Sequence, residues 1–211
     1  MAKKYNPKAI KIAFFFTVNM VASFSYAAGE IELIQLLSRF TSYQADFTQK
    51  TMRNAQAVKT IKGKVFLQRP GFFRWEVLEP LHQVIIANPK ALWVYDVDLA
   101  QATQQSMVAN QNNTLARLLS GSNEVIQKDF KVVQYTHTAT FSTFTLEPKS
   151  KDNAFESVTL IFDHQQLQGL SFINNMGEKN EVTFDKIKLN TSIDSGLFKF
   201  TPAPGVDVLT S

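Results

Sequence analysis

Side chains that alternate between apolar and polar, renewed segment after segment from Tyr43 to Leu189, constrain this chain more than any other feature. A period of two sends successive side chains to opposite faces of a strand. Tyr43, Ala45 and Phe47 alternate with Gln44, Asp46 and Thr48. Ile61, Gly63, Val65 and Leu67 alternate with Lys62, Lys64 and Gln68, with Phe66 out of pattern. Phe73, Trp75 and Val77 alternate with Phe72, Arg74, Glu76 and Leu78. Val84 to Ala87 and Leu92 to Tyr95 flank the turn Asn88-Pro89-Lys90, and further strands are expected at 100–107, 130–135, 140–147, 156–163, 167–174 and 180–189. Asp163 to Gln166 and Asn174 to Gly177 read as turns. Regularly spaced strands with few helices predict a barrel or a strongly curved antiparallel sheet, with large apolar residues on its inner face.

Helical spacing occurs in three places. Ile31, Leu33, Ile34, Leu36, Leu37 and Phe40 predict a helix between Glu30 and Phe40, with an apolar arc wide enough to meet apolar surface on both sides. Leu115, Leu118 and Leu119 form the stripe of a short helix that Asn113 or Thr114 can cap and Gly121 can end. A further short helical segment is expected from Ser122 to Lys128. Short helices among so many strands suit a lid or plug over the sheet's interior. No repeat or linker marks a domain boundary, so residues 28–211 are expected to form one domain.

Residues 1–27 are expected to be an export signal. Lys3, Lys4, Lys8 and Lys11 precede the apolar stretch Ile12 to Phe24, which Thr17, Asn19 and Ser23 interrupt. Ser25-Tyr26-Ala27 then supplies small residues at −3 and −1 of a cleavage site, leaving Ala28 as the first mature residue. A membrane anchor fits less well, because the run is short and polar-interrupted. The four lysines hold all of the chain's excess charge: of 22 basic and 18 acidic residues, 18 of each lie after residue 27. A chain neutral after processing gives no support for nucleic-acid binding or for broad attraction to membranes. With no cysteine there is no disulfide, thiol nucleophile or lipid-bearing Cys, and an exported chain of this kind fits a bacterial periplasm.

Catalytic motifs are missing. His82, His137 and His164 stand in separate segments without ligand spacing, and read as strand or surface histidines. The chain has no G-x-S-x-G elbow, no Ser-x-x-Lys and no glycine-rich phosphate loop. The sequence therefore predicts no enzyme, no metal and no cofactor. What stands out is aromatic: of 18 phenylalanines, 14 lie outside the export segment, beside Trp75 and Trp93. That inventory serves an ordinary β core or a lined apolar cavity equally well. Arg69 narrows the choice. By parity it shares a face with Ile61, Gly63, Val65 and Leu67, so it is either a rim charge or an inward guanidinium that holds a covering helix or loop by its carbonyls.

Several segments, in order and across the mature chain, resemble the LolA family of periplasmic outer-membrane lipoprotein carriers. They are Ser42-Tyr43-Gln44-Ala45-Asp46-Phe47-Thr48-Gln49-Lys50, Gln68-Arg69-Pro70-Gly71-Phe72-Phe73-Arg74-Trp75, Ala91-Leu92-Trp93-Val94-Tyr95-Asp96 and Gln101-Ala102-Thr103. Phe144-Thr145-Leu146-Glu147-Pro148-Lys149 and Phe198-Lys199-Phe200-Thr201-Pro202-Ala203-Pro204-Gly205-Val206 complete the set. The resemblance implies an incomplete, open-sided antiparallel β-barrel with a lid of short α-helices over an apolar cavity. It implies acylated lipoproteins as cargo, an inner-membrane ABC-type release complex as donor, and an outer-membrane lipoprotein receptor as acceptor. It places the lid-closing basic residue at Arg69, with expected bonds to lid backbone around 114–121. Arg74 departs from the usual pattern and is read as an outer-face strand charge. Parity and helical stripes nominate Leu33, Leu37, Phe47, Val65, Leu67, Trp75, Leu115 and Leu118 as the acyl-cavity lining. A monomer is expected. The alternatives from other classes are a periplasmic lipid-acting enzyme or accessory, and a β-domain that binds protein only.

Overall fold

The computed structural model describes residues 19–106, 114–150 and 153–210, and only the backbone of residues 19–27 and 114. Residues 1–18, where most of the expected export signal lies, are outside the described set, as are the possible cap Asn113 and the expected strand end Met107.

A single sheet dominates. Its strands are β1 (Ser42–Arg53), β2 (Gln56–Gln68), β3 (Phe72–Glu79), β4 (Gln83–Ala87), β5 (Ala91–Asp96), β6 (Gln101–Ser106), β7 (Phe130–His137), β8 (Phe141–Pro148), β9 (Phe155–Asp163), β10 (Gln166–Asn174), β11 (Lys179–Leu189) and β12 (Asp207–Thr210). Their order across the 12-stranded sheet is β12-β6-β5-β4-β3-β2-β1-β11-β10-β9-β8-β7, so β12 and β7 are free edges and the barrel does not close. Neighbours pair antiparallel except β12, which pairs parallel with β6 from Asp207↔Gln101 to Thr210↔Gln104. The sequence pattern anticipated every strand but this one.

Helices cover the inner face. The helix α1 (Asn19–Ser38) begins well before the expected Glu30, lies against β7 and buries Leu33, Leu36 and Leu37, with Phe40 just beyond its end. Those residues recur at i, i+3, i+4 and i+7, one helical stripe. Ile31, on the other side of the apolar arc, is exposed. The short helices α2 (Thr114–Ser120) and α3 (Asn123–Asp129) follow. Ser122 caps α3 by accepting the Val125 N–H. Arg117 ties the pair together through an ion pair of 2.6 Å to Asp129.

The outer face is half covered as well. After β11 the chain crosses back over β3 to β6, through a 3-10 turn at Ser195–Phe198, before entering β12. Phe200 packs on Trp93 and Tyr95 at 4.9 and 5.0 Å between ring centroids, and Phe198 on Phe72 at 5.7 Å. Val84, Ile86 and Ala102 are buried beneath this strap, although they point away from the inner face. Among the described residues no helix is long and apolar enough to cross a membrane.

Candidate functional site

All eight nominated residues lie in one apolar cluster between the sheet and the helices. Leu33, Leu37, Phe47, Val65, Leu67 and Leu118 are buried in it, and Trp75 and Leu115 pack against it from partly exposed positions. The register explains the floor. Val65 pairs with Trp75, Leu67 with Phe73 and Phe47 with Gly63, so alternate residues of three strands share one face. Gly63 is what lets Phe47 lie flat: a Cβ there would stand 2.7 Å from the Phe47 ring and 1.9 Å from the Glu76 carbonyl oxygen. Phe47 consequently stacks on Trp75 at 3.9 Å. Phe73, Phe184, Tyr43 and Phe40 extend this row of rings toward the end of α1.

Several further members of the same cluster, among them Leu36, Phe40, Leu119 and Phe184, are not nominated as lining by the sequence, although the first three stand in its helical stripes. Leu36 and Phe40 belong to the stripe that singled out Leu33 and Leu37. Phe184 shares its face of β11 with Val182 and alternates with the exposed Thr183, so parity held the signal there too. Tyr43 is buried throughout, and its hydroxyl donates to the Leu167 carbonyl at 3.0 Å. Burial pushes its pKa up, so the ring is a neutral wall of the cluster.

Arg69 sits where the floor meets the helices. Its Nη1 donates to the Leu37 carbonyl at 2.6 Å, in the last turn of α1. Its Nη2 donates to the Gly121 carbonyl at 2.7 Å, just past α2. The guanidinium also stands 5.7 Å from the centre of the Phe40 ring. Gly71, at φ 89°, continues the seam by donating its N–H to the Ser120 carbonyl at 2.6 Å. Burial lowers the pKa of Arg69, and no ion pair among the described residues includes it. Carbonyl dipoles and the Phe40 ring face the charge in place of a carboxylate.

Arg74 is on the opposite face and is no free surface charge. Nε and Nη2 donate to one Glu76 carboxylate oxygen at 3.1 and 3.0 Å, and Nη1 to the Leu197 carbonyl of the strap at 3.2 Å. His82 Nε2 lies 3.1 Å from the other Glu76 oxygen. His137 meets Ser142 and His164 meets Asp163. Among the described residues no group of three or more His, Cys, Asp or Glu could hold a metal ion.

The arrangement is thus an apolar core packed between the sheet and the helices, with one half-buried cation bonded to two of the helical segments. The family model described as "Outer membrane lipoprotein carrier protein LolA" matches residues 38–201. An outer-membrane lipoprotein carrier protein of Coxiella burnetii (strain CbuK_Q154) is 39% identical over 198 residues, covering 93% of each chain. Its counterpart in Pseudomonas aeruginosa (strain UCBPP-PA14) is 32% identical over 206 residues, covering 96% of this chain and 99% of that protein. Among solved structures, an uncharacterized conserved protein from Thermus thermophilus superposes with a TM-score of 0.51 at 13% identity, over 88% of this chain and 99% of that one, a likeness of fold alone.

Proposed function

The chain belongs to the LolA family of outer-membrane lipoprotein carriers, and from that premise we propose how it takes up and gives up its cargo. It is a periplasmic lipoprotein carrier with membrane-associated partners, and not an enzyme. Residues 1–27 serve as a cleaved export signal, so the working protein starts at Ala28. Cargo comes from an inner-membrane ABC-type release complex and leaves to an outer-membrane lipoprotein receptor. The carrier acts as a monomer. Leu33, Leu37, Phe47, Val65, Leu67, Trp75, Leu115 and Leu118 contact the acyl chains once the helices part from the sheet.

The single observation behind this reading is Arg69, which holds two helical segments by carbonyls alone. Each fully buried Leu or Phe is worth roughly 1.5–3 kcal/mol. Opening the helices into water would therefore expose Leu33, Leu36, Leu37 and Phe40 at a cost on the order of 10 kcal/mol. That term keeps the empty carrier shut. Acyl chains remove it, because they supply replacement apolar packing of about 0.8 kcal/mol per methylene. What they cannot replace is the Arg69 bond pair, at roughly 1.5–3 kcal/mol per charge-assisted bond. The loaded state is then uphill by those two bonds. Re-forming them offsets part of the burial that the acyl chains give up as they leave.

Photoreactive acyl probes test the pocket. They should label positions 33, 37, 65 and 75, and unlabelled lipoprotein should compete, whereas its delipidated form should not. Labelling confined to outer-face positions such as Phe66 and Trp93 would sink the reading. Intact mass of the periplasmic protein checks the start at Ala28, and a retained apolar segment in the membrane fraction would overturn that part.

A further inference from the structure

Between α1 and β1 the chain crosses a short linker, residues 39–41, held together with Ser42 at the start of β1 far more tightly than a surface link requires. Asn190, just past β11, brackets it. Its Nδ2 donates to the Arg39 carbonyl at 3.1 Å, and its Oδ1 accepts the Thr41 N–H at 2.8 Å and the Thr41 hydroxyl at 3.3 Å. The Asn190 N–H donates to the Ser42 carbonyl at 2.9 Å, and the Ser42 hydroxyl to the Thr191 carbonyl at 2.6 Å. From the other side the main-chain N–H of Arg69 donates to the Thr41 carbonyl at 2.8 Å. Asn190 has φ 54°, a left-handed conformation that Asn tolerates better than most residues.

These bonds differ in kind from those of the Arg69 side chain. All stop at the linker, and none reaches into α1. The guanidinium reaches Leu37 inside α1 and Gly121 between α2 and α3, so its bond to Leu37 must break if α1 swings. Beside the linker a cleft of about 330 Å³, lined by Thr41, Ser42, Arg69, Asn190 and Thr191, leaves room for the chain to twist. At the far end of the described α1 side chains, Gly29 meets β7 by close approach: a Cβ on it would stand 2.8 Å from the Tyr135 Cβ.

We propose that Asn190 is a positioning residue, the fixed pivot about which α1 rotates off the inner face, with the Arg69 guanidinium as the separate, releasable catch. Motion is smallest at the linker and largest near Gly29. On return, the clamped linker brings the Leu37 carbonyl back into register with Arg69. This rests on the carrier reading above, in which the helices part to admit acyl chains.

The cysteine-free chain allows a redox test. Thr41→Cys with Asn190→Cys places a disulfide across the pivot. Glu32→Cys and Tyr135→Cys, whose parent side chains interact electrostatically, are joined by a short reducible bis-thiosulfonate bridge as the distal disulfide link toward the swinging end. Loading with a triacylated lipoprotein and transfer to receptor-bearing membranes are measured oxidised and reduced. The pivot disulfide should leave both rates within about twofold of the parent, and the distal disulfide should block loading until it is reduced. Asn190→Gly accepts the positive φ without the amide, and should slow transfer roughly tenfold, as loss of one or two hydrogen bonds allows, with loading unchanged. The oxidised pivot pair should restore the parent transfer rate. A pivot disulfide that blocks loading overturns the proposal, as does a distal disulfide that permits loading while acyl probes still label positions 33 and 65. If loading proceeds through both disulfides and those positions stay unlabelled, the carrier pocket itself is wrong and the pivot falls with it.

Discussion

The two faces of the sheet are covered by different means, and two arginines five residues apart mark the difference. On the inner face α1, α2 and α3 are held by Arg69 through carbonyl oxygens only. On the outer face the C-terminal strap is held by Arg74, whose charge is already matched by Glu76, with His82 on that carboxylate's far side. The strap also ends as a strand of the sheet, and Asn88 donates to its Phe198 carbonyl. A guanidinium bound to neutral dipoles leaves a half-buried charge without those partners when its cover lifts. One paired with a carboxylate keeps its partner whatever the strap does. In the proposed carrier cycle the inner cover is therefore the part that moves, and the outer one belongs to the fixed frame.

The contrast breaks first at Arg69. Arg69→Leu removes two charge-assisted bonds, roughly 3–6 kcal/mol together, and should slow transfer to the receptor by a hundredfold or more. Loading should persist, and the empty carrier should still close on its apolar burial. Equal transfer rates for parent and variant, measured from preloaded carrier, would reduce Arg69 to a rim charge. Arg74→Leu should do the reverse. It leaves Glu76 without its main cation and should cost about 2–4 kcal/mol of global stability in denaturant titrations, with transfer per folded molecule unchanged. A transfer defect at full folding would erase the distinction between the faces. Phe200→Ala removes a half-buried ring from Trp93 and Tyr95, and should cost about 1–3 kcal/mol, again without touching transfer.

The smallest effect is on acid sensitivity. Burial raises the pKa of Glu76, but hydrogen bonds from His82 and Arg74 outweigh it and hold the carboxyl below the usual range. A carboxyl depressed in the folded chain stabilises it above the unfolded pKa, and that contribution is lost as pH falls through the depressed value. Hydrogen exchange over 197–200 should therefore speed up below about pH 4, and Glu76→Gln should remove that response. Exchange over 37–41, latched without a carboxylate, should show no matching step.

The pattern of alternation and short apolar runs made eleven strands legible because nearly all of them, β6 excepted, place one face on the common core. It failed at β12, whose four residues are all exposed and whose partner lies about a hundred residues earlier. It also missed the strap, because parity assumes that one face is wet. The apolar runs Val84 to Ala87 and Leu92 to Tyr95 carried the missing signal, since only a strand covered on both sides stays apolar without a break. Phe66 and Arg74 pointed to the same covered face. At the site, parity brought Arg69 to the apolar row, and the helical stripe brought Leu33 and Leu37. Parity alone did not show that Arg69 reaches α1 as well as the α2 end, because that contact depends on where the helix comes to rest. Asn190 was invisible for a similar reason: a single Asn after a strand reads as a turn, and its amide matters only because residues 39–42 fold back beside it.

The two free edges of the sheet have a mechanical meaning. In a closed barrel, strand number and shear fix the diameter, and the bore cannot change without breaking a ladder of hydrogen bonds. Here β12 and β7 never meet. The sheet is a split ring, and small changes of twist at each strand pair can add up to a wider or narrower bore while every ladder stays intact. Cargoes of different bulk then present the fold with a question of curvature rather than of fit.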